Sequence, residues 1–221
     1  MALIKLNDET IGYSGAKVIQ NVTLEIEVGE RIALVGESGA GKSTLLNFIH
    51  MQLGKTAALV PQELGLAQAL SVFHNVYIGR LHQNSVWRNI RNLFMPTKAD
   101  VELITPILLH LRLEDKIFTN VGELSGGQQQ RTAVGRAIFH PSDVLVADEP
   151  VSSVDEHQAR EILERIDANK KTVILAMHDR SLAIEFAERL IGIKNGKIVL
   201  DAPSNGMSPS DLDHLYQKVT H

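Results

Sequence analysis

The chain has 221 residues, 44% of them hydrophobic and 22% charged, which is an ordinary globular composition with enough length to bury a core. Its net charge of −4 does not suggest a nucleic-acid partner, and the lack of cysteine excludes disulfides and thiolate metal sites and indicates a reducing compartment. Residues 1–9 lack the apolar run of a signal peptide, and no apolar stretch approaches the roughly 20 residues that span a bilayer. We therefore expect any role at a membrane to depend on another chain.

The first elements along the chain have the patterns of β-strands. Ala2–Leu6 is a short apolar segment, and apolar and polar residues alternate over Val22–Val28, which is typical of a half-buried strand. A turn then leads into an apolar strand, Arg31–Val35. A glycine-rich loop and a helix from about Lys42 are predicted to follow it.

The second half of the chain predicts strands that alternate with helices. Three apolar runs have the pattern of buried strands: Val144–Ala147, Thr172–Met177 and Leu190–Ile193. Helical patterns separate them, chiefly at Gln128–Phe139 and Glu156–Ala168. Such alternation is typical of a mostly parallel sheet that is covered on both faces. Asn195-Gly196 predicts a β-hairpin.

A single domain with an inserted helical part is predicted. It consists of an α/β core at about 1–67 and 121–205, a helical subdomain at about 68–120, and a C-terminal helix at about 208–219. Pro96 and Pro106 are predicted to break the helices of the inserted part.

Residues 36–43 have the pattern of a phosphate-binding loop. Gly36-Glu37-Ser38-Gly39-Ala40-Gly41-Lys42-Ser43 matches G-x-x-x-x-G-K-[ST] between a predicted strand and a predicted helix. The glycines allow backbone N–H groups to cradle phosphate oxygens at a helix N-terminus. Lys42 supplies charge to the β- and γ-phosphates, and the Ser43 hydroxyl can ligate Mg²⁺. We expect these residues, with Thr44, to bind a nucleoside triphosphate.

A second segment with two glycines, Leu124-Ser125-Gly126-Gly127-Gln128-Gln129-Gln130-Arg131, precedes a predicted helix. Ser125 and the glycines predict another anion-binding helix start, and a plain N-cap is the alternative. The segment resembles the signature sequence of ABC (ATP-binding cassette) ATPases. In that family it faces the phosphate loop of a second subunit. The resemblance therefore implies that Ser125, Gly126, Gly127 and Gln128 contact ATP across a dimer interface.

Two further motifs follow in the order of this family. Val144–Glu149 resembles a Walker B strand, which implies that Asp148 belongs to the Mg²⁺ shell and that Glu149 is the general base for the attacking water. Pro150 and Ser152-Ser153-Val154-Asp155 match the family's D-loop. This match makes a mere pair of solvated loop acids the weaker interpretation.

Three single residues take roles from the same resemblance. His178 follows an apolar strand at the place of the family's switch histidine, which holds the γ-phosphate and senses its loss. Gln62 corresponds to the Q-loop glutamine, which contacts Mg²⁺ or the water and relays nucleotide state to the helical subdomain. Tyr13 corresponds to the aromatic residue that stacks on adenine, although a tyrosine before Ser14-Gly15 is equally typical of a turn.

The resemblance implies an α/β fold: a P-loop NTPase core with a mostly parallel sheet and an inserted helical subdomain. The stretch between the phosphate loop and Gln62 is short for the family, so we expect a trimmed antiparallel β subdomain. The implied activity is ATP hydrolysis, with Glu149, His178 and Gln62 as the catalytic set. The implied ligands are ATP and Mg²⁺, the metal being held by Ser43, Gln62 and Asp148.

The resemblance also implies partners. They are a second copy of the chain or a related ATPase, integral membrane permease subunits and, in an importer, a solute-binding protein, at the cytoplasmic face of the cell membrane; nucleic acid is not among them. The sequence leaves substrate and direction open. The alternatives are an ATPase of lipoprotein release, export or regulation, and a DNA- or ribosome-associated ATPase. The single cassette and the short spacing between its motifs disfavour the last class.

One stretch of the helical region bears on the substrate. His74–Leu81, followed by Trp87-Arg88 and Leu93-Phe94, resembles the corresponding stretch of phosphonate-importer ATPases. The alternative is that these residues only pack the helical lobe, with Trp87 in its core.

Apolar residues crowd Leu64–Leu81, and exposed apolar patches often mark interfaces. Val72 and Val76, one helical turn apart, are predicted to pack inside the helical lobe. We predict that the preceding loop, Leu64–Leu70, receives a short helix of the permease.

Overall fold

The structure, a computed structural model, describes residues 1–13 and 16–217. Its strands are β1 (Ala2–Tyr13), β2 (Ala16–Glu27), β3 (Arg31–Val35), β4 (Ala58–Val60), β5 (Val144–Asp148), β6 (Thr172–Ala176), β7 (Arg189–Lys194) and β8 (Lys197–Pro203). Its α-helices are α1 (Lys42–Leu53), α2 (Val72–Tyr77), α3 (Val86–Phe94), α4 (Lys98–His110), α5 (Gly126–Phe139), α6 (Glu156–Asn169), α7 (Arg180–Phe186) and α8 (Asp213–Tyr216). Short 3₁₀ turns occupy Gly54–Thr56, Ile78–Gln83, Glu114–Lys116, Val121–Glu123 and Pro209–Leu212.

A six-stranded sheet forms the centre of the fold. Its strand order is β4-β5-β6-β3-β7-β8, and every pair is parallel except β7 with β8. Every residue of β6 is buried, because both faces of the sheet are covered. The prediction of an α/β fold with a mostly parallel sheet is confirmed.

Different layers cover the two faces of this sheet. On one face, Leu34 of β3 packs in a cluster with Leu45 of α1 and Ile19 of β2. On the other face, Leu175 of β6 packs in a cluster with residues of α2, α4, α5 and α6. The loops at the carboxyl ends of the parallel strands therefore lie between a helical layer and a mixed layer.

Within the described residues, the second sheet contains only β1 and β2, which pair antiparallel. Between α1 and β4 the chain forms just the turn Gly54–Thr56, and no strand intervenes. This is the expected trimming of the antiparallel layer. The three residues of β4 were not predicted as a strand, because so short a segment shows no alternation.

The helical region differs from its prediction at Pro106. Pro96 separates α3 from α4 as predicted, but Pro106 lies inside α4 and does not break it. Ile104 and Leu108 of the same helix are fully buried. Their packing holds α4 together although proline removes one backbone hydrogen bond.

The structure also bears on the predicted β7–β8 turn, on the end of β2 and on the predicted C-terminal helix. Asn195 and Gly196 have φ angles of 51° and 69° and form the predicted turn between β7 and β8. Val28 lies beyond the end of β2 and is exposed, contrary to prediction. At the C-terminus the described chain forms a 3₁₀ turn and α8, and residues 218–221 lie outside the description. In residues 1–13 and 16–217, no helix has the length and apolar character needed to cross a membrane.

Candidate active site

Four neighbouring strands of the central sheet bring several of the predicted site residues to one edge. β3 leads into the phosphate loop, β4 leads to Gln62, β5 ends at Asp148, and β6 leads to His178. Asp148 pairs directly with Ala176, the last residue of β6. Since parallel strands end at the same edge, residues far apart in sequence meet there.

The glycines of the phosphate loop meet strict steric demands. Gly36 has φ 143°, and a Cβ there would lie 2.1 Å from the carbonyl oxygen of Ile193. Gly41 has φ 113°, and a Cβ there would lie 2.7 Å from Cγ1 of Ile19. A side chain at either place would push the loop away from β7 or β2. The remaining loop residues run between strand and helix as predicted: Glu37, Ser38, Gly39 and Ala40.

Lys42 is buried at the start of α1 and points back into the loop. Its Nζ donates to the carbonyl oxygens of Gly36 at 2.8 Å and Glu37 at 3.0 Å. Burial lowers the pKa of Lys42, while the charges of Glu149 and Asp148 oppose that effect. Its ammonium thus lies at the centre of the loop and within the field of both acids.

Asp148 is buried at the end of β5. Among the described residues, its Oδ1 has no hydrogen-bond partner. A buried carboxylate oxygen without a donor is unfavourable, and a bound cation removes that penalty. Asp148 therefore fits a Mg²⁺ ion held together with phosphate oxygens, which needs few protein ligands. Half-buried Ser43 follows Lys42 in the first turn of α1, and buried Thr44 comes next.

Glu149 and His178 form the closest ionisable pair at this edge. His178 Nε2 lies 2.5 Å from Glu149 Oε1, and both side chains line a cleft of about 350 Å³. Glu149 has φ 54°, a left-handed conformation that is unfavourable for a residue with a Cβ. Strain of this kind indicates that the surrounding structure fixes the backbone at Glu149.

Gln130 is a residue of this site that sequence reasoning missed. It is buried in α5, and its Nε2 donates to the carbonyl oxygen of Glu149 at 2.8 Å and to Ser152 Oγ at 3.1 Å. Its Oε1 accepts from the N–H of Ser153 at 2.8 Å. Gln130 thus fastens the D-loop and Glu149 to α5. Its place in the signature segment was the only available signal.

The segment after Gln62 is fastened to the same helix. Gln62 is exposed in a turn, and Leu64 has φ 57°. Arg136 of α5 donates to the carbonyl oxygens of Gly65 at 2.6 Å and Leu64 at 2.5 Å. Burial lowers the pKa of Arg136. This arginine was also missed, because it is bound by backbone atoms that carry no sequence pattern.

The signature segment begins α5 with a capping box. The Oγ of Ser125 accepts from the N–H of Gln128 at 3.3 Å, and Gln128 Oε1 accepts from the N–H of Ser125 at 3.0 Å. In the single chain, Ser125 therefore acts as the N-cap of α5, which is the alternative that the sequence left open. Gly126 is open to solvent, whereas a Cβ on Gly127 would lie 2.9 Å from the carbonyl oxygen of Ser153. Within the described part, no hydrogen bond joins Ser125–Gln128 to the phosphate loop.

Two further sequence predictions have different outcomes. Tyr13 ends β1, but its side chain lies outside the described part of the chain, so its role stays a prediction. Trp87 is 81% exposed, which makes the idea that it packs in the core of the helical lobe wrong.

The loop between β3 and α1, the buried lysine and the acids at the end of β5 define a P-loop nucleoside triphosphatase. The order of the motifs narrows the class further. The pattern of the ABC transporter family matches residues 19–152, more than half of the chain. The chain belongs to this family: it is an ATP-binding, ATP-hydrolysing cassette subunit of a transporter.

Individual relatives agree over nearly the full length. The chain is 32% identical to the "Phosphonates import ATP-binding protein PhnC" of Lactococcus lactis subsp. cremoris, over 98% of this chain and 99% of that protein. It is 34% identical to the protein of the same name from Shouchella clausii, over 92% of this chain and 86% of that one. A solved structure, a dimeric post-hydrolysis state of the ATP-binding cassette MJ0796 bound to ADP and Pi, has a TM-score of 0.79 at 26% identity. It covers 94% of this chain and 100% of that one.

Proposed function

We propose that the chain drives a membrane importer for phosphonates or similar small solutes, with two copies closing over two ATP molecules. The observation that carries the ATPase part is the 2.5 Å contact between His178 and Glu149 beside the phosphate loop. The proposed cargo is supported by the names of relatives that are 32% to 34% identical over almost the whole chain. It is also supported by the stretch His74–Leu81 with Trp87.

In this proposal each site residue has a defined role. Glu149 accepts a proton from the attacking water, and His178 orients Glu149 and holds the γ-phosphate. Lys42 stabilises charge on the β- and γ-phosphates. Ser43 and Asp148, with Gln62 nearby, hold Mg²⁺, which neutralises phosphate charge when it is bound. Tyr13 stacks on adenine.

The signature segment is proposed to act on the partner copy. Ser125 and Gly126 are exposed, and they begin a helix whose N-terminal N–H groups can bind an anion. Within the described residues, no hydrogen bond ties them to the chain's own phosphate loop. A γ-phosphate presented by a second copy would therefore complete the site and hold the dimer closed, and its release would open it.

Because Ser125 also caps α5, a test of the shared site needs variants that keep the cap. Ser125→Asp keeps an N-cap acceptor but adds a negative charge, whereas Ser125→Asn keeps the cap without charge. In a Glu149→Gln background, the Asn protein should become dimeric with ATP, and the Asp protein should stay monomeric. Light scattering at fixed protein concentration measures this. An Asp protein that dimerises as readily as the Asn protein would contradict the shared site.

Coupling to the permease is proposed to pass from Gln62 through the adjoining loop. Arg136 fixes Leu64 and Gly65 to α5. The side chain of buried Asn75 makes hydrogen bonds with backbone atoms of Ala67, Leu70 and Ser71, and these bonds hold the rest of the loop. A movement of Gln62 with the nucleotide would therefore shift the whole loop Leu64–Leu70, against which the permease is proposed to dock.

Import of phosphonate is tested by uptake. Cells in which Glu149→Gln replaces the native residue should lose accumulation of methylphosphonate and retain accumulation of inorganic phosphate. Unchanged phosphonate accumulation would overturn the cargo assignment. Loss of an exported solute or of lipoprotein release in the same cells would favour the alternative classes. The proposed place of action is the cytoplasmic face of the membrane, with a solute-binding protein outside.

A further inference from the structure

Helix α3 turns its apolar face outward. Six apolar side chains in α3 and directly after it are between 45% and 81% exposed: Val86, Trp87, Ile90, Leu93, Phe94 and Met95. Apart from Met95, which follows the helix, their spacing places them on one side of α3. Contiguous exposed apolar surface of this kind marks an interaction site in a soluble domain.

The opposite, polar face of α3 is the face that is packed inside. Asn92 is 0% exposed and Asp100 of α4 is 2% exposed, and Asn92 Nδ2 donates to Asp100 Oδ2 at 2.7 Å. Arg88 donates to Asp100 Oδ1 at 2.5 Å, and Thr97 Oγ1 donates to Oδ2 at 2.6 Å. These bonds lower the pKa of Asp100 although its burial opposes that shift.

This network fixes the rotation of α3. Tyr77 of α2 adds a hydrogen bond to Asn89 at 3.2 Å. Turning the helix to bury Trp87 and Phe94 would leave Asp100 as an unpaired buried carboxylate, which is strongly unfavourable. The outward apolar face is therefore a stable property of the fold.

The charge around this face identifies its partner. Residues 64–99 contain no Asp or Glu, although the whole chain has a net charge of −4. Arg88 is neutralised by Asp100, Lys98 lies 3.9 Å from Glu102 in an exposed ion pair, and exposed Arg91 supplies positive charge beside the apolar face. Cytoplasmic loops of membrane proteins carry an excess of Lys and Arg, which repels such a segment. The cytoplasmic leaflet itself is anionic and attracts it.

We propose that α3 docks on the anionic membrane surface, with Trp87 and Phe94 at the level of the lipid headgroups. Short helices with an aromatic and aliphatic face flanked by Arg or Lys bind membrane interfaces in this way. The contact goes beyond the proposed import function, because it requires neither permease nor nucleotide. It orients the cassette and places the loop Leu64–Leu70 close to the membrane partner.

The chain's single tryptophan reports directly on this contact. Purified protein is mixed with vesicles of phosphatidylcholine alone or of phosphatidylcholine with phosphatidylglycerol, and Trp87 emission and co-sedimentation are measured. With the anionic vesicles the emission should move to shorter wavelength and the protein should sediment. With the neutral vesicles, or at high salt, both effects should be much weaker. Unshifted emission and no sedimentation with anionic vesicles would overturn the proposal.

Variants separate this face from other surfaces. Phe94→Glu should abolish vesicle binding, and Arg91→Gln should weaken it about fivefold, the effect of one cation near an anionic surface. Val199→Glu, a matched change at a half-exposed residue of β8, should leave binding and basal ATPase activity unchanged. The proposal fails if Phe94→Glu still binds vesicles. It also fails if Phe94→Glu abolishes self-association in the absence of lipid, or if Trp87 emission shifts only when the vesicles contain permease.

Discussion

The hydroxyl of Tyr216 accepts a 3.1 Å hydrogen bond from the backbone N–H of Gly36, the first residue of the phosphate loop. The carbonyl oxygen of the same glycine accepts from Lys42 Nζ. Arg180, two residues after His178, lies 5.0 Å over the ring of Tyr216. The C-terminal helix α8 therefore joins the phosphate loop to the segment after β6.

We predict that Tyr216→Phe weakens ATP binding. The variant removes the acceptor for Gly36 N–H, and such a bond contributes about 0.5–1.5 kcal/mol, so the Kd for ATP should rise by roughly 2- to 10-fold. The kcat at saturating ATP should change less, because bound phosphates re-form the loop. Titration calorimetry and steady-state kinetics measure the two quantities.

Tyr77→Phe is the matched control for Tyr216→Phe. Its hydroxyl bonds Asn89 and Asn84 in the helical region and not the loop. If the two variants lowered Tm alike and neither changed the ATP affinity, the role of Tyr216 would be structural only.

Replacement of Glu149 separates binding from chemistry. Glu149→Gln keeps the size of the side chain but removes the base, so kcat should fall by about 10²- to 10⁴-fold while the Kd for ATP stays within a few-fold. Lys42→Ala should instead weaken ATP binding itself. Glu156→Gln changes another acid of the same cleft and should retain turnover. Near-normal hydrolysis by Glu149→Gln would remove Glu149 from its assigned role.

We predict that His140 makes the protein less stable in mild acid. Its burial, with the charge of Lys170 nearby, lowers the pKa of His140 from 6.5 to about 4, and its Nδ1 accepts from the N–H of Ser142 at 3.2 Å. Between pH 6.5 and 4 the unfolded chain therefore binds a proton that the native chain does not. The free energy of unfolding should therefore fall as the pH decreases through this window, and the decline should level off below about pH 4.

His140→Asn tests this pH dependence. Asparagine can accept from Ser142 N–H in the same turn and does not titrate. Urea unfolding at several pH values should show a shallower decline for the variant than for the wild type. Equal declines would mean that other groups cause the acid sensitivity.

The sequence predicted the parts of the site that depend on short-range geometry. The phosphate loop and His178 each follow an apolar strand and Asp148 ends one, and a parallel sheet brings such strand ends together. Gln130 and Arg136 were not predictable in the same way. They bind the backbone of Glu149 and Leu64, and a backbone partner far away in sequence leaves no residue pattern.

Helix α3 shows a different limit of sequence reasoning. The pattern from Val86 to Phe94 specifies two faces, but periodicity does not say which of them is buried. The inward face was decided by Asp100, a carboxylate beyond the helix that needs Arg88 and Asn92 as partners. An apolar helix face is ordinarily expected to pack in the core, but the buried polar network holds the face with Trp87 on the outside.

Gln130 should matter more for catalysis than for stability. Gln130→Ala leaves the N–H of Ser153 without its partner and removes the side-chain donor to the carbonyl oxygen of Glu149, which keeps the N–H of Ser152 at 3.3 Å, at a cost of about 1–3 kcal/mol in unfolding free energy. Because Glu149 has φ 54°, loss of this support should let its side chain move and lower kcat more than 10-fold. Gln129→Ala, which removes bonds to Leu124 and Gln68 instead, is the matched control. Equal kcat values for the two variants would contradict this role.

The last prediction concerns the loop Leu64–Leu70, which is proposed to bind the permease. Leu66 is half-buried and packs against the edge of the core, so Leu66→Glu should cost about 1 kcal/mol of stability but keep basal ATPase activity. In this variant the loop would carry a negative charge where an apolar helix of the permease is expected to bind. Co-purification with the permease and solute uptake should therefore be lost. Leu109→Glu, at an exposed leucine of α4, should retain both. If Leu66→Glu loses basal ATPase activity and thermal stability together, the loop belongs to the core and the permease docks elsewhere.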